Sequence, residues 1–102
     1  MLAIFGVSFA WDPKKNRANI LKHGVTFEEA STVFSDAYAR IIADPDHSDD
    51  EERFVILGMS RKGRMLIVCH CYREKGNVIR IISAREATKT EGKTYWRYCH
   101  ES

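Results

Sequence analysis

Residues 11–30 read WDPKKNRANILKHGVTFEEA, and these twenty residues spell two helices and the turn between them. Asp12 is a good N-cap, and Pro13 suits the first helical position, where a missing N–H costs nothing. Gly24 stands where a left-handed residue ends a helix. Thr26 starts the second helix. Glu29, three residues on, completes a capping box that satisfies two orphan N–H groups. The first helix is expected from Pro13 to His23. It is largely polar and should lie on the surface, with Ala18 and Leu21 as its core contacts. The second is expected from Phe27 to Phe34, where Phe27, Ala30, Val33 and Phe34 form one apolar face.

Working outward, Tyr38 to Ala43 reads as a strand closed by Asp44-Pro45. Residues 44–52, DPDHSDDEE, hold six acids in nine positions and cannot pack, so they form a loop. Three strands follow at Arg53–Met59, Arg64–Tyr72 and Val78–Ala84. Short Gly-containing loops separate them, which makes them antiparallel neighbours. Thr88 and Glu91 repeat the capping-box pattern and open a last helix to about Tyr98. Gly92 weakens that helix, so it needs packing from Tyr95 or Trp96. The start, MLAIFGVSFA, lacks a basic leader and is broken by Gly6 and Ser8. It reads as a short arm or first strand, not a signal peptide. The fold class is therefore α+β: two N-terminal helices, a small mainly antiparallel sheet and a C-terminal helix.

With 102 residues, 44% of them hydrophobic and 29% charged, the chain suits one globular domain over residues 1–102. No apolar run approaches the ~20 residues of a membrane span. Three cysteines, two of them in one strand, point to reduced thiols and a cytoplasmic location. Charge is uneven. Residues 1–52 hold 5 basic and 10 acidic residues, and residues 53–100 hold 11 and 3. A basic half fits a polyanion or an acidic partner, and equally fits solvated strand edges.

Strand alternation puts Met65, Ile67, Cys69 and Cys71 on one face of their strand, the wholly apolar one expected to meet the helices. Arg64, Leu66, Val68, His70 and Tyr72 fall on the other. In the next strand Val78, Arg80, Ile82 and Ala84 share one face, and Ile79, Ile81, Ser83 and Arg85 share the other. Metal-independent RNA cleavage needs a proton acceptor, a proton donor and cations for the developing charge. Arg64, His70, Tyr72, Arg80 and Arg85 contain those types and are the candidate catalytic residues. Arg offers a planar fork to phosphate, and an exposed Tyr can stack a base. The opposing reading is an ordinary half-exposed sheet with a hydrogen-bonded strand histidine. His23 reads as helix C-terminal chemistry, His47 as solvated among carboxylates, and His100 as uninformative. No cofactor or metal is expected. Cys69, Cys71, Cys99 and His100 could supply soft ligands, but C-x-C within an apolar strand face reads as core. Asp44, Asp46 and Ser48 lack the Gly and Glu of a calcium loop.

The opening residues Trp11-Asp12-Pro13, Lys15, Asn19, Lys22-His23-Gly24-Val25 and Phe27-Glu28-Glu29-Ala30 closely resemble the BrnT family. That family is the toxin half of a bacterial type II toxin–antitoxin pair. The resemblance runs from about Phe9 to Trp96. It includes Asp44-Pro45-Asp46-His47, Glu51-Glu52-Arg53, Gly58, the segment from Ile79 to Arg85, Ala87-Thr88 and Glu91. It implies a RelE-like fold and RNA cleavage that halts growth. It also implies a BrnA antitoxin with a ribbon-helix-helix part, through which the pair would bind operator DNA. Residues 1–8 lie outside it. Members of the wider RelE-like group share no fixed catalytic set, so the resemblance supports the activity more than individual roles. The alternative is a non-catalytic RNA- or DNA-binding module within a heteromeric complex. Arg85, at a strand end, is expected to matter most, with Arg80 and Arg64 next. Tyr95, Trp96 and Tyr98 are the expected antitoxin anchors within the basic surface of residues 53–100.

Overall fold

A computed structural model describes residues 2–4, 6–43 and 52–101. The expected acidic loop, with His47, lies almost wholly outside the described residues. The elements in chain order are β1 (Leu2–Ile4), β2 (Val7–Ala10), α1 (Pro13–His23) and α2 (Phe27–Thr32), which tightens into a 3-10 turn at Val33–Ser35. Then come β3 (Arg40–Ala43), β4 (Phe54–Met59), β5 (Met65–Arg73), β6 (Val78–Glu86) and α3 (Lys89–Glu101). The fold is α+β, as expected. Its six strands lie in the order β1-β2-β6-β5-β4-β3. The hairpins are antiparallel, but β2 runs parallel to β6, a pairing that turn residues cannot announce because no hairpin joins the two.

The helix ends form as their capping residues dictate. Asp12 accepts from the Lys14 N–H at 2.9 Å, and Gly24 closes α1 with φ 69°. Thr26 accepts from the Glu29 N–H at 3.0 Å. The reciprocal half of this box is not made, because the Glu29 carboxylate turns inward to Ser60 and Arg64. At α3 both halves form: Glu91 N–H to Thr88 Oγ1 at 3.2 Å, and Thr88 N–H to Glu91 Oε1 at 2.8 Å.

α2 packs as its apolar face requires. Phe27, Ala30 and Val33 are fully buried, with Phe34 packed beside them. They meet Leu66, Val68, Ile79 and Ile81. This corrects the expected orientation of β5: the helices cover the Leu66–Val68–His70 face, not the Met65–Ile67–Cys69–Cys71 face. Gly58 permits the close approach. A Cβ there would sit 2.8 Å from Val33 Cγ1 and 2.9 Å from Ala39 Cβ. On the opposite face lies α3. Gly92 is beside Met65, and Arg40 stacks 4.3 Å over the Tyr98 ring. Tyr95 is buried and its hydroxyl donates to Asp36 Oδ2 at 2.7 Å, so Tyr95 anchors α3 and Trp96 stays half exposed.

α1 departs most from expectation. Ala18 is exposed and Leu21 is 89% exposed, so neither is a core contact. The helix docks through Asn19. β2 ends opposite Arg80, leaving the outer edge of β6 without a strand beyond that point. There Asn19 Nδ2 donates to Ala84 O at 2.8 Å and Oδ1 accepts from the Ala84 N–H at 3.1 Å. Nδ2 also donates to Val25 O at 2.9 Å. A side-chain amide thus continues the sheet where the strand stops, since unpaired buried backbone groups are costly. Replacing Asn19 with Ala should lower stability by about 2–4 kcal/mol in denaturant unfolding, as three bonded groups lose their partner. Leu21→Lys should change it by no more than about 0.5 kcal/mol. The opposite ranking would return α1 to docking through its apolar residues.

Candidate functional site

β6 carries a bulge that decides what the sheet displays. Cys69 pairs with Ser83, but His70 pairs with Ile81, which leaves Ile82 as the extra residue. A bulge reverses the alternation on either side of itself. Ile79 and Ile81 before it, and Ala84 after it, all face α1 and α2. Arg80, opposite Cys71, and Arg85, opposite Ile67, both face the other way. An uninterrupted strand would have put these two arginines on opposite faces, as simple alternation predicted.

The face so formed holds a cleft of about 370 Å³, lined by His23, Arg53, Val55, Ile67, Cys69, Ile82, Ser83, Ala84 and Arg85. Its floor is apolar: Val55, Cys69 and Ser83 form one cross-strand row, and Ile67 pairs with Arg85 in the next. The polar groups stand at its edges, an arrangement common to ligand sites. His23 comes from the last turn of α1, Arg53 precedes β4, and Arg85 lies near the end of β6.

Arg85 is held by Glu91 in a bidentate pair, Nη1 to Oε1 at 2.8 Å and Nη2 to Oε2 at 2.9 Å. Nη1 also donates to Glu86 O at 3.2 Å. These bonds engage three of the five guanidinium N–H groups and leave two among the described residues for another acceptor. The guanidinium holds the Glu91 carboxyl down at about 2, with the Thr88 N–H adding to the effect. The two side chains remain 41% and 32% exposed, so an incoming anion can reach the pair.

The other expected site residues are placed elsewhere. Arg64 lies on the helix side. Its Nε donates to Glu29 Oε2 at 3.0 Å, its Nη2 pairs with Glu29 Oε1, and Nη2 also reaches Gly24 O at 3.0 Å. Glu29 is 5% exposed and accepts from Ser60 Oγ as well, and its carboxyl is held below the usual range chiefly by Arg64. Arg64 therefore clamps α2 and the end of α1 to the sheet. His70 has no exposed surface, and its ring meets Phe34 edge-on at 4.8 Å. Its Nδ1 donates to Val68 O at 3.1 Å, since a carbonyl only accepts. Nε2 then accepts from the Tyr72 hydroxyl at 3.1 Å. Burial pushes the imidazole below its ordinary value and the Tyr72 phenol above its own. His70 and Tyr72 thus sit on the opposite sheet face from Arg85. Arg80 shares the Arg85 face but lies outside the cleft.

His23, Arg53 and Ser83 are in the cleft and were not among the expected site residues. One signal for His23 was present in the sequence. Asn16, Asn19 and His23 fall at i, i+3 and i+7 of one helix, a polar stripe where an apolar one would be usual. Among the described residues, no group of three or more His, Cys, Asp or Glu side chains could hold a metal ion. No helix among them is long and apolar enough to cross a membrane.

The chain is similar to a family of known proteins and to a solved structure. The family described as "Ribonuclease toxin, BrnT, of type II toxin-antitoxin system" matches residues 11–91. The crystal structure of the Brucella abortus ribonuclease toxin BrnT superimposes with a TM-score of 0.59 at 22% identity, covering 81% of this chain and 99% of that one. No curated protein matches the chain.

The burial of His70 has a measurable consequence. An unfolded chain takes up a proton on this histidine as pH falls through about 6.5, while the folded chain resists it. The stability His70 contributes is therefore complete above that pH and is lost as pH falls below it. Glu29 and Glu91, held below the usual carboxylate range, begin to matter only under more acid conditions. Thermal melts should show Tm falling between pH 7.5 and 5.5 in the wild type, and falling less steeply in His70→Phe. Equal slopes would mean that His70 titrates in the folded protein as it does in the unfolded one.

Proposed function

Because the chain belongs to the BrnT family of ribonuclease toxins of type II toxin–antitoxin systems, we propose that it cleaves RNA without a metal ion, at the cationic cleft on the open face of its sheet. The observation that carries this reading is Arg85. Its guanidinium is fixed by Glu91 and by the β6 backbone, yet keeps two N–H groups without an acceptor among the described residues, and its side chain lines the cleft. A planar, rigidly held donor fork suits a phosphodiester whose charge grows during reaction. Arg53 adds a second cation to the rim, and Arg80 extends positive charge along the same face. The apolar floor of Val55 and Ile67 offers a surface for a base or ribose and keeps bulk water from one side of the phosphate.

Cleavage in this scheme uses the RNA's own 2′-hydroxyl as nucleophile. The protein's part is to orient the phosphate, to stabilise the added negative charge and to manage protons. Arg64, His70 and Tyr72 support the fold in this scheme, Arg64 through the Glu29 clamp and the other two through their mutual hydrogen bond. The family supports an antitoxin partner, and the partner proposed is BrnA-like, with a ribbon-helix-helix part that carries the pair to operator DNA. Half-exposed Trp96 on α3 is an anchor for it, a role that buried Tyr95 does not fill.

Purified, antitoxin-free protein should degrade RNA in excess EDTA. Arg85→Ala should lower the rate by about 100-fold, the usual cost of a lost transition-state donor. Its melting temperature should move little, because an exposed ion pair contributes about 0–1 kcal/mol. Activity that vanishes with EDTA and returns with magnesium would overturn the metal-independent chemistry. A folded Arg85→Ala variant of full activity would remove Arg85 from the site. Salt-sensitive binding with the RNA left intact would make the chain a binding module.

A further inference from the structure

His23 is fixed in place to an unusual degree for a residue at a helix end. One turn before it, Asn19 ties α1 to both backbone groups of Ala84, the residue between Ser83 and Arg85 of the cleft. On the same helix face, Asn16 Oδ1 accepts from the Phe27 N–H at 2.9 Å. Directly after it, Gly24 N–H donates to Ile20 O at 2.8 Å, and Gly24 O accepts from Arg64 at 3.0 Å. The chain on both sides of His23 is thereby tied to the body of the protein, through the Asn16 and Asn19 side chains before it and the Gly24 carbonyl after it, and its half-buried side chain lines the cleft with Arg53 and Arg85.

The other lining groups are poorly suited to proton transfer. Guanidinium groups do not give up a proton in proteins. The Ser83 hydroxyl is a weak acid, and Cys69 is buried in the floor. Glu91, beside the cleft, is engaged by Arg85 and stays ionised. An imidazole is the side chain that can hold and release a proton near neutral pH. The arginines stabilise the anionic phosphorane but cannot protonate the departing alkoxide, which is the need they leave unmet.

We propose that His23 is a catalytic residue of RNA cleavage, giving its proton to the 5′-oxygen as that oxygen leaves; the assignment rests on the cleavage reading above. The O2′–P bond forms while the P–O5′ bond breaks. The 2′-hydroxyl proton passes to water, the His23 proton goes to O5′, and His23 regains a proton from water. The products are a 2′,3′-cyclic phosphate and a 5′-hydroxyl.

The test uses an RNA oligonucleotide, and the same oligonucleotide with sulfur replacing the 5′-oxygen at the linkage to be cleaved. A thiolate leaves without a proton. His23→Gln should slow cleavage of the oxygen substrate by about 100-fold or more. It should slow the sulfur substrate less than about 5-fold. His23→Asn should show the same pattern, with melting temperatures checking that both variants fold. Equal losses on the two substrates, or no loss on either, would overturn the assignment. A wild-type protein that leaves both oligonucleotides intact would overturn the cleavage reading itself, and His23's role with it.

Discussion

The amide of Asn19 completing the edge of β6 is the contact on which the site depends. A strand edge left open against a helix would bury backbone groups without partners, and water cannot reach them there. One asparagine supplies both a donor and an acceptor in the spacing of a peptide unit, so it stands in for the strand that β2 does not extend. The same contact sets the height of α1 along β6. That height decides which residue of its last turn overlooks Ser83 and Arg85. Stability and site geometry are therefore the same interaction seen from two sides of the sheet edge.

The bulge at Ile82 is the second constraint. It lets one nine-residue strand serve two masters: apolar Ile79, Ile81 and Ala84 for the core, and Arg80, Ser83 and Arg85 for the open face. Strict alternation would have buried a cation among the helices or exposed part of the core. Bulges that re-aim side chains next to functional sites are a recurrent device. Here the bulge concentrates positive charge where it meets solvent, not the low-dielectric interior, and so avoids the desolvation cost of a buried guanidinium.

What was legible in the sequence was local. Asp12, Pro13, Gly24, Thr26 and Thr88 act within three or four residues of themselves, and the helix ends they mark are where the structure has them. The apolar stripe of α2 was equally readable, because period alone decides it. What was hidden depends on contacts between distant segments. Asn19 and Ala84 are 65 residues apart, and the polar stripe of Asn16, Asn19 and His23 does not name the strand it docks on. Glu29 looked like half of a capping box, but a partly exposed arginine 35 residues away competes for its carboxylate and wins. The bulge leaves no mark in the composition of β6, so face assignments failed on one side of it. The candidate site inherits these errors. Arg80 and Arg85 were legible as cations on a central strand. His23 was visible as a residue but not as a neighbour of Arg85.

The two arginine–glutamate pairs show why residue type could not separate fold from site. Both pairs are bidentate, and both depress a carboxylate. Arg64–Glu29 is closed over by Ser60 and Gly24, so every donor it turns inward already has a protein acceptor. Arg85–Glu91 is open, and among the described residues its remaining donors meet no protein acceptor. Charge behaves in the same way across the chain. The N-terminal half is acidic when counted by residue, yet six of its ten acids lie within positions 44–52. α1 itself carries Lys14, Lys15, Arg17 and Lys22, all exposed, and no acid at all. Positive charge in the fold therefore crosses the division between the halves, because α1 is docked by Asn19 onto the strand that carries Arg85. A count by sequence position divides what the fold joins, and the electrostatic field a polyanion meets is that of the fold.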